Sequence, residues 1–568
     1  MTVETMAQKS AHSEAPVAAA DGGFQAALDA HRRGALDAAV AGYQGTVTAI
    51  PSHVGAWGNL CIALQALGRT PEALATGRRA LALRPDLAEL HVNLAAALKS
   101  SGKLDEARGA LERAIALQPG SALAHISLGN VLRAAGAADA ALEAYEHAGL
   151  LAPGDIAAHS NQGLALKDLG RPEAALIRFR RALALNPGAA EVHFNLGNTL
   201  RQTGALEDAV DSVTRAVALD PAHNRARANL GVTLRDLGRI EEAVAVLDAA
   251  IVRDADYADA HWNRALALLL AGDFERGWPA YEWRWRATAM APRDFTEPLW
   301  NGAPPSWRTV LLHAEQGLGD CLQFIRYAPL VAAMGAKVVV ECPAPLAGLL
   351  ESCAGVSEVV PRGAKLPPFD LHAPLMSLPG LLATRADNIP ADCPYLSAPA
   401  SAGAELSGAL EEQAGGGKKI GIVWAGNPAH ENDRNRSCDA AYFARLADNP
   451  DVALFSLQKE ASPETLAQLP LAADLAPLLG DFGDTAYAAS RLDLIVTVDT
   501  ALAHLAGALG RPVWLILPHA PEWRWQLGRD DSPWYPTMRL FRQAWPGDWD
   551  GLFQRLTQAL ETLPAKFD

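Results

Sequence analysis

The sequence predicts an α + α/β protein, an N-terminal array of paired helices followed by two halves of alternating strands and helices. Three observations carry this expectation. Proline recurs at 51, 85, 119, 153, 187 and 221, in steps of 34 residues, with Ala255 in the next slot. Each unit between these prolines holds two apolar stretches at helical spacing around a Gly-containing turn, as in ALGRTPEA and DLGRPEA. From about residue 309 the text changes to short apolar β-type runs separated by helical stretches, the pattern of parallel sheets covered by helices.

The 568 residues suggest roughly three or four domains, and a composition that is 50% hydrophobic and 20% charged is that of a globular protein. A formal charge of -15 argues against a nucleic-acid or anionic-membrane binder, which needs a basic face. No long apolar run exists, so no membrane span is expected. The start, MTVETMAQKSAHSEAPVAAADGG, lacks a basic segment followed by an apolar one and reads as a disordered tail over 1–22. Six cysteines without a CxxC pair fit reduced thiols in a cytoplasmic protein and no structural zinc.

Residues 23–290 form the repeat region, about seven to eight units. Asn recurs at Asn59, Asn93, Asn161, Asn195, Asn229 and Asn263, with Ser127 on the missing rung. Asn is a poor mid-helix residue because its side chain competes for backbone hydrogen bonds. Its repetition at one position therefore points either to a role or to duplication of a harmless solvent-facing residue. A second ladder, His91, His125, His159, His193 and His261, has Trp57 and Arg227 at equivalent rungs. Equivalent rungs lie about a helix pair apart, too far to share one ion, so a metal is rejected and a packing role expected.

The period and the helix–turn–helix text resemble the tetratricopeptide repeat (TPR) family, whose units stack into a superhelix with a concave groove. In that family the asparagine position faces the groove. The ladder resembles that of the protein O-GlcNAc transferase superhelix, where primary amides hold the backbone of an extended polypeptide. The resemblance therefore implies acceptor-peptide binding by the six asparagines.

Thirteen of the fourteen tryptophans lie at or after residue 262. Residues 291–308 read as an aromatic, Pro-rich joint, with Trp278, Trp283, Trp285 and Trp300 expected to glue the array to the next domain. Two α/β halves are then expected over 309–400 and 418–568, with 401–417 as a linker. Ligands in such folds sit at the carboxyl ends of the strands.

Candidate chemistry clusters at those ends. Asp320 follows Gly317-Leu318-Gly319 at a helix start and is either a general base or a cap. Asp499, Thr500 and Ala501 lie where a buried strand meets a helix, a place suited to phosphate, with Asp499 as a plain N-cap the alternative. His504, four residues after Thr500, either contacts the ligand or makes a core hydrogen bond. The loop WAGNPAHENDRNRS carries Asn427, His430, Arg434 and Arg436. Gln458 and Lys459 end the strand VALFSLQ and are candidates for nucleotide contact, while Glu522, Trp523, Trp525 and Trp534 are expected to pack. GxxxxGK[ST], HExxH and GxSxG motifs are absent from the sequence.

GLGDCLQFIRYAPLV and VDTALAHLAGALGRPVW, in that order, resemble the GxGD turn and the VDTG-x-x-H element of the heptosyltransferase-type (family 9) GT-B glycosyltransferases. The resemblance covers about 309–568 and implies a metal-independent, inverting glycosyltransferase with the acceptor on the first half and the nucleotide-sugar on the second. It makes Asp320 the base and Arg436 the cation offsetting leaving-phosphate charge. Asn427, Arg434, Gln458, Lys459, Asp499, Thr500, Ala501 and His504 then serve the nucleotide-sugar. Ala501 stands where family members often carry Gly, which narrows the approach of a phosphate. The domain order resembles bacterial flagellin O-glycosyltransferases, thought to use CMP-linked nonulosonic acids. The expected function is transfer of a sugar to Ser or Thr of a protein, flagellin favoured, with no cofactor beyond the sugar donor. Transfer to lipopolysaccharide or another glycan, and a non-catalytic TPR scaffold, are the alternatives.

Overall fold

The computed structural model describes residues 22–288, 290–412, 417–430 and 432–562. The tail expected over 1–22 lies outside them except at Gly22, which begins a helix over 22–32. The chain divides into two compact units, Met1–Ala226 and Arg227–Asp568.

In the first unit, helices alternate down the sequence as first and second members of each repeat, for example Ala88–Ser100 with Leu104–Leu117 and Ala190–Gln202 with Leu206–Leu219. The turn inside every repeat carries a glycine at positive φ, from Gly34 to Gly204 at the repeat period and on through Gly238 and Gly272 in the second unit. A side chain there would be strained, which explains why these glycines keep the register. Small residues at the helix contacts (Ala73, Ala107, Ala141, Ala175, Ala209) are wholly buried and let the helices approach closely.

The histidine ladder has a specific task. Each ring nitrogen Nε2 meets the carbonyl of the residue six positions earlier, in the turn between repeats. The distances are 2.9 Å for His91–Pro85, 3.3 Å for His125–Pro119, 3.0 Å for His159–Pro153, 3.0 Å for His193–Pro187 and 2.9 Å for His261–Ala255. Trp57 does the same with its indole N–H and the carbonyl of Pro51 at 2.9 Å. A carbonyl only accepts, so the rung requires a ring N–H donor, which imidazole and indole both supply.

The second unit holds the last repeats and two all-parallel sheets. Strands β1 (Thr309–His313), β2 (Lys337–Cys342), β3 (Val356–Pro361) and β4 (Leu371–Pro374) form the first, in the order β3-β2-β1-β4. Strands β5 (Lys418–Val423), β6 (Val452–Ser456), β7 (Leu471–Asp474), β8 (Leu494–Val498), β9 (Val513–Leu517) and β10 (Met538–Arg542) form the second, in the order β10-β9-β8-β5-β6-β7. The strands β1, β8 and β9 read as apolar runs because both sheet faces are covered there. The stretch 401–417, expected as a linker, contains a helix, Ala404–Glu412, with Leu406 and Leu410 buried.

The tryptophans of the joint differ in burial and in duty: Trp278 and Trp300 are buried, Trp283 and Trp285 half-buried, and Trp307 exposed. Trp278 donates its indole N–H to the carbonyl of Thr384 at 3.0 Å and meets the Trp523 ring edge-on at 5.3 Å. Trp300 is buried and donates to the carbonyl of Ala303. Trp283 instead stacks on His261 within the repeats, 3.8 Å between ring centres, and Trp285 lies under the Arg284 guanidinium.

Among the described residues no helix is long and apolar enough to cross a membrane, and no group of three or more His, Cys, Asp and Glu is arranged to hold a metal ion.

Candidate active site

The site is built where two helices meet end to side. The helix Leu318–Phe324 follows β1 and the helix Ala501–Ala508 follows β8, and the two are in contact. Gly319 makes this approach possible, since a Cβ there would lie 2.8 Å from the His504 ring and 3.5 Å from the Cα of Ala501. The carboxyl ends of β1 and β8 are thus brought together, as expected of a ligand site in such sheets.

Asp320 performs both roles that its position allows a cap to have. Its Oδ2 accepts from the backbone N–H of Gly317 at 2.7 Å, and its Oδ1 is ion-paired to Nη2 of Arg524. Arg524 arrives from the second sheet's half, on the loop after β9, and its Nε also donates to Oε1 of Gln323. Its Nη1 lies 2.5 Å from Oε1 of Glu522, and its guanidinium sits over the Trp523 ring at 4.4 Å. A buried guanidinium thus bridges two carboxylates, using the fork geometry that lysine lacks.

Asp499 ends the strand run but is not the cap. Thr500 occupies the N-cap position of Ala501–Ala508 and makes no side-chain cap bond. Burial pushes the Asp499 carboxyl up, while the Trp525 indole, Arg524 and Arg436 oppose this. Arg436 reaches the same corner, donating from Nη1 to the backbone carbonyl of Asp499 at 3.1 Å while its Nε holds Asp433 at 3.1 Å. Burial together with Asp499 raises the Glu522 carboxyl to about 7, with Arg524 opposing. Thr500 Oγ1 lies 3.2 Å from that of Thr497.

His504 resolves as a core residue. Its Nδ1 is 2.9 Å from the Tyr535 hydroxyl and its ring stacks near Trp525. Burial, with the charges of Arg524 and Arg326, holds it well below the usual range, so it is neutral at pH 7. Its Nε2 stands 4.0 Å from Oδ1 of Asp499.

Gln458 and Lys459 spend their polar groups on the protein itself. Gln458 Oε1 accepts from the backbone N–H groups of Trp424 (3.1 Å) and Ala425 (2.9 Å), and its amide nitrogen donates to the carbonyl of Lys459. Lys459 Nζ donates to the carbonyls of Ala476 and Leu479. Gln458 thus shapes the loop after β5, and Lys459 the turn that follows β7. Asn427, His430 and Arg434 are exposed on the loop after β5, and Asn427 Oδ1 accepts from the backbone N–H of Ala429.

The asparagine ladder sits on the first helices of the repeats. In the first unit Asn59, Asn93, Asn161 and Asn195 are half-buried, and Asn161 donates to Oδ1 of Asn130 at 3.3 Å. In the second unit Asn263 donates to the carbonyl of Asp259 on its own helix, and Asn229 Oδ1 is buried without a hydrogen-bond partner among the described residues.

Two groups were not singled out from sequence. Arg524 stands between two tryptophans in the WRW triplet, where an aromatic-flanked arginine after a glutamate could have signalled a buried guanidinium. Arg284, from the end of the repeats, is wholly buried and bonded to Glu315, immediately before the Gln316–Asp320 turn. Glu315 in turn accepts from the backbone N–H of Met376, and burial raises it to about 7 against the pull of Arg284. Gln316 reaches the Tyr281 hydroxyl at 3.5 Å.

A reciprocal arginine lies behind the site. Arg326, from the first sheet's half, donates to the carbonyl of Trp534 at 2.6 Å and to the Tyr395 hydroxyl at 2.9 Å, and lies over the Tyr535 ring at 4.5 Å.

Models of tetratricopeptide repeats match residues 66–130, 98–164 and 160–224, and a TPR repeat model matches 231–272. The model of glycosyltransferase family 9 (heptosyltransferase) matches residues 439–524, a span that includes Asp499 to Arg524 but neither Asp320 nor Arg436. Protein FlbA of Caulobacter vibrioides is 27% identical over 338 residues, covering 55% of this chain and 56% of that protein. The match thus spans about half the length of that relative. Among solved structures, the TPR protein TTC0263 of Thermus thermophilus is 23% identical over 32% of this chain and 98% of its own, with a TM-score of 0.30. The pilF protein of Pseudomonas aeruginosa is 18% identical over 37% of this chain and 96% of its own, with a TM-score of 0.33. The chain therefore carries tetratricopeptide repeats followed, in its C-terminal half, by a glycosyltransferase family 9 domain.

Proposed function

We propose that the protein is a GT-B-type, metal-independent and inverting O-glycosyltransferase that moves a sugar from a nucleotide donor to Ser or Thr of a polypeptide held by the repeats. The observation that carries the reading is the family 9 match across the Asp499–His504 element in a chain that also bears the asparagine ladder. The acceptor hydroxyl oxygen bonds to the anomeric carbon, the bond from that carbon to the leaving phosphate breaks, and the hydroxyl proton passes to the Asp320 carboxylate. Arg524 fixes one oxygen of that carboxylate, so the base keeps a single orientation. Arg436 and the N-terminal end of Ala501–Ala508 offset charge on the departing phosphate.

Flagellin is the favoured acceptor and a CMP-linked nonulosonic acid the favoured donor. The intact mass of flagellin from source cells with and without the gene tests both. A loss of one or more sugar units on deletion supports the reading, and the increment identifies the sugar. An unchanged flagellin together with a truncated lipopolysaccharide would move the acceptor to a glycan.

A further inference from the structure

The repeats carry a third ladder that neither the asparagines nor the histidines explain. Lys99, Arg133, Lys167 and Arg201 occupy one repeat position, in the last turn of four successive first helices. Cations at a helix C-terminus favour the helix dipole, and that alone would be a sufficient account. The second helices supply the control: none of the six from Leu36–Ala49 to Leu206–Leu219 has a basic residue in its last turn. A dipole preference would act on both layers, so the basic residues belong to a face rather than to helix ends.

That face is the asparagine face. Across one pair of neighbouring first helices, Asn161 donates to Asn130 at 3.3 Å and Arg133 lies 2.5 Å from Asp168. Asn130 is not a ladder position (that rung is Ser127), but Asn130 and Arg133 are three apart on one helix and Asn161 and Asp168 seven apart on the other, so the Arg133 cation lies on the surface that carries the ladder's Asn161. In a chain of net charge -15, these four last turns carry four basic residues. Asp168 is the one acidic residue in the last turns of those four helices. Lys167 is pushed down by burial, which Asp168 opposes and Arg201 and Arg133 reinforce, so the row repels itself. An anion laid along it would relieve that repulsion.

We infer that the repeat face is built for an acidic segment of polypeptide, whose main chain meets the asparagines while its carboxylates meet Lys99, Arg133, Lys167 and Arg201. This rests on the polypeptide-acceptor reading and narrows it to a class of acceptor segment.

The test uses the full chain and two labelled synthetic peptides, one alternating Ser and Asp, the other with Asn in place of Asp. The acidic peptide is expected to bind about tenfold or more tightly than its amide counterpart, and to weaken as salt rises. Lys99→Gln with Lys167→Gln should remove that preference, whereas Asn93→Ala with Asn195→Ala should weaken both peptides alike. Equal binding of the two peptides, with loss in the asparagine variants, would overturn the acidic preference while sparing the polypeptide reading. Binding of neither would overturn both. Displacement of the acidic peptide by a single-stranded oligonucleotide at equal ionic strength would reassign the ladder to a phosphate backbone.

Discussion

Arg284 donates from Nη2 to both carboxylate oxygens of Glu315, at 3.0 and 3.1 Å, and neither side chain has more than a trace of exposed surface. The same guanidinium bonds Ser377 and Glu282, so the end of the repeats braces the turn that leads into Asp320. Breaking a buried pair by removing one partner leaves an uncompensated charge and typically costs about 3–5 kcal/mol. Arg284→Met should therefore lower the midpoint of the C-terminal unfolding transition sharply, and Arg284→Met with Glu315→Met should recover most of the loss. Urea titration of the full chain followed by tryptophan fluorescence measures both.

The same pair determines where the chain can be cut. A fragment starting near residue 301 leaves Glu315 and Trp523 without the side chains that cover them, whereas one starting near 258 keeps Trp278, Tyr281 and Arg284. The shorter fragment should lose its near-ultraviolet circular dichroism and the longer one keep it. Separating acceptor docking from chemistry thus requires a cut before the last repeat.

Asp320→Asn retains an acceptor oxygen for the Gly317 N–H but removes the charge and the basicity. Turnover should fall by about 10²–10⁴-fold, the usual contribution of a positioned general base, measured at a temperature where circular dichroism shows the variant folded, because Arg524 loses one of its two carboxylates and the melting temperature falls too. A variant that keeps full turnover would move proton transfer elsewhere in the cluster.

Glu522 gives a pH dependence of definite sign. Its folded value is raised to about 7, above its unfolded value, so its contribution to stability is complete at low pH and is lost as pH rises through about 7. Glu522→Gln should therefore narrow the difference in melting temperature between about pH 5 and about pH 8. An unaltered difference would place the titration on another group.

His193→Ala removes the bond to the Pro187 carbonyl and should cost about 1 kcal/mol. His193→Trp should cost less, since Trp57 already fills an equivalent rung with an indole donor. Thermal melts of the two variants against the parent decide the point.

The repeat half was readable because each unit buries the same residues, so periodicity survives in the text. The central strands were readable for a related reason: β1, β5, β8 and β9 are buried and hence apolar. Of the four edge strands, β3 (VSEVVP) was readable and the other three were not. In β4, LHAP, proline and histidine hide the run; β7, LAAD, is half-buried and alanine-rich; β10, MRLFR, alternates with arginine. The helix Ala404–Glu412 was masked by its small-residue surroundings. At the site, helix starts marked Asp320 and Thr500 correctly because a helix N-terminus is a local property. The partnership of Asp320 with Arg524, 204 residues away, and of Arg284 with Glu315 comes from packing that leaves no periodic trace. The bonds of Gln458 and Lys459 to backbone turns were illegible for the same reason, as polar groups at a strand end serve a backbone turn as readily as a ligand.

Arg326 and Arg524 cross between the two sheets in opposite directions, each rooted in one half and bonded into the other. Pulling the halves apart would expose two guanidinium groups and strip the Trp534 carbonyl and the Asp320 carboxylate of their partners at once. Two such rivets resist hinge motion far better than one, because neither can swing while the other holds. Release by a gaping of the whole module would therefore require both rivets to break together.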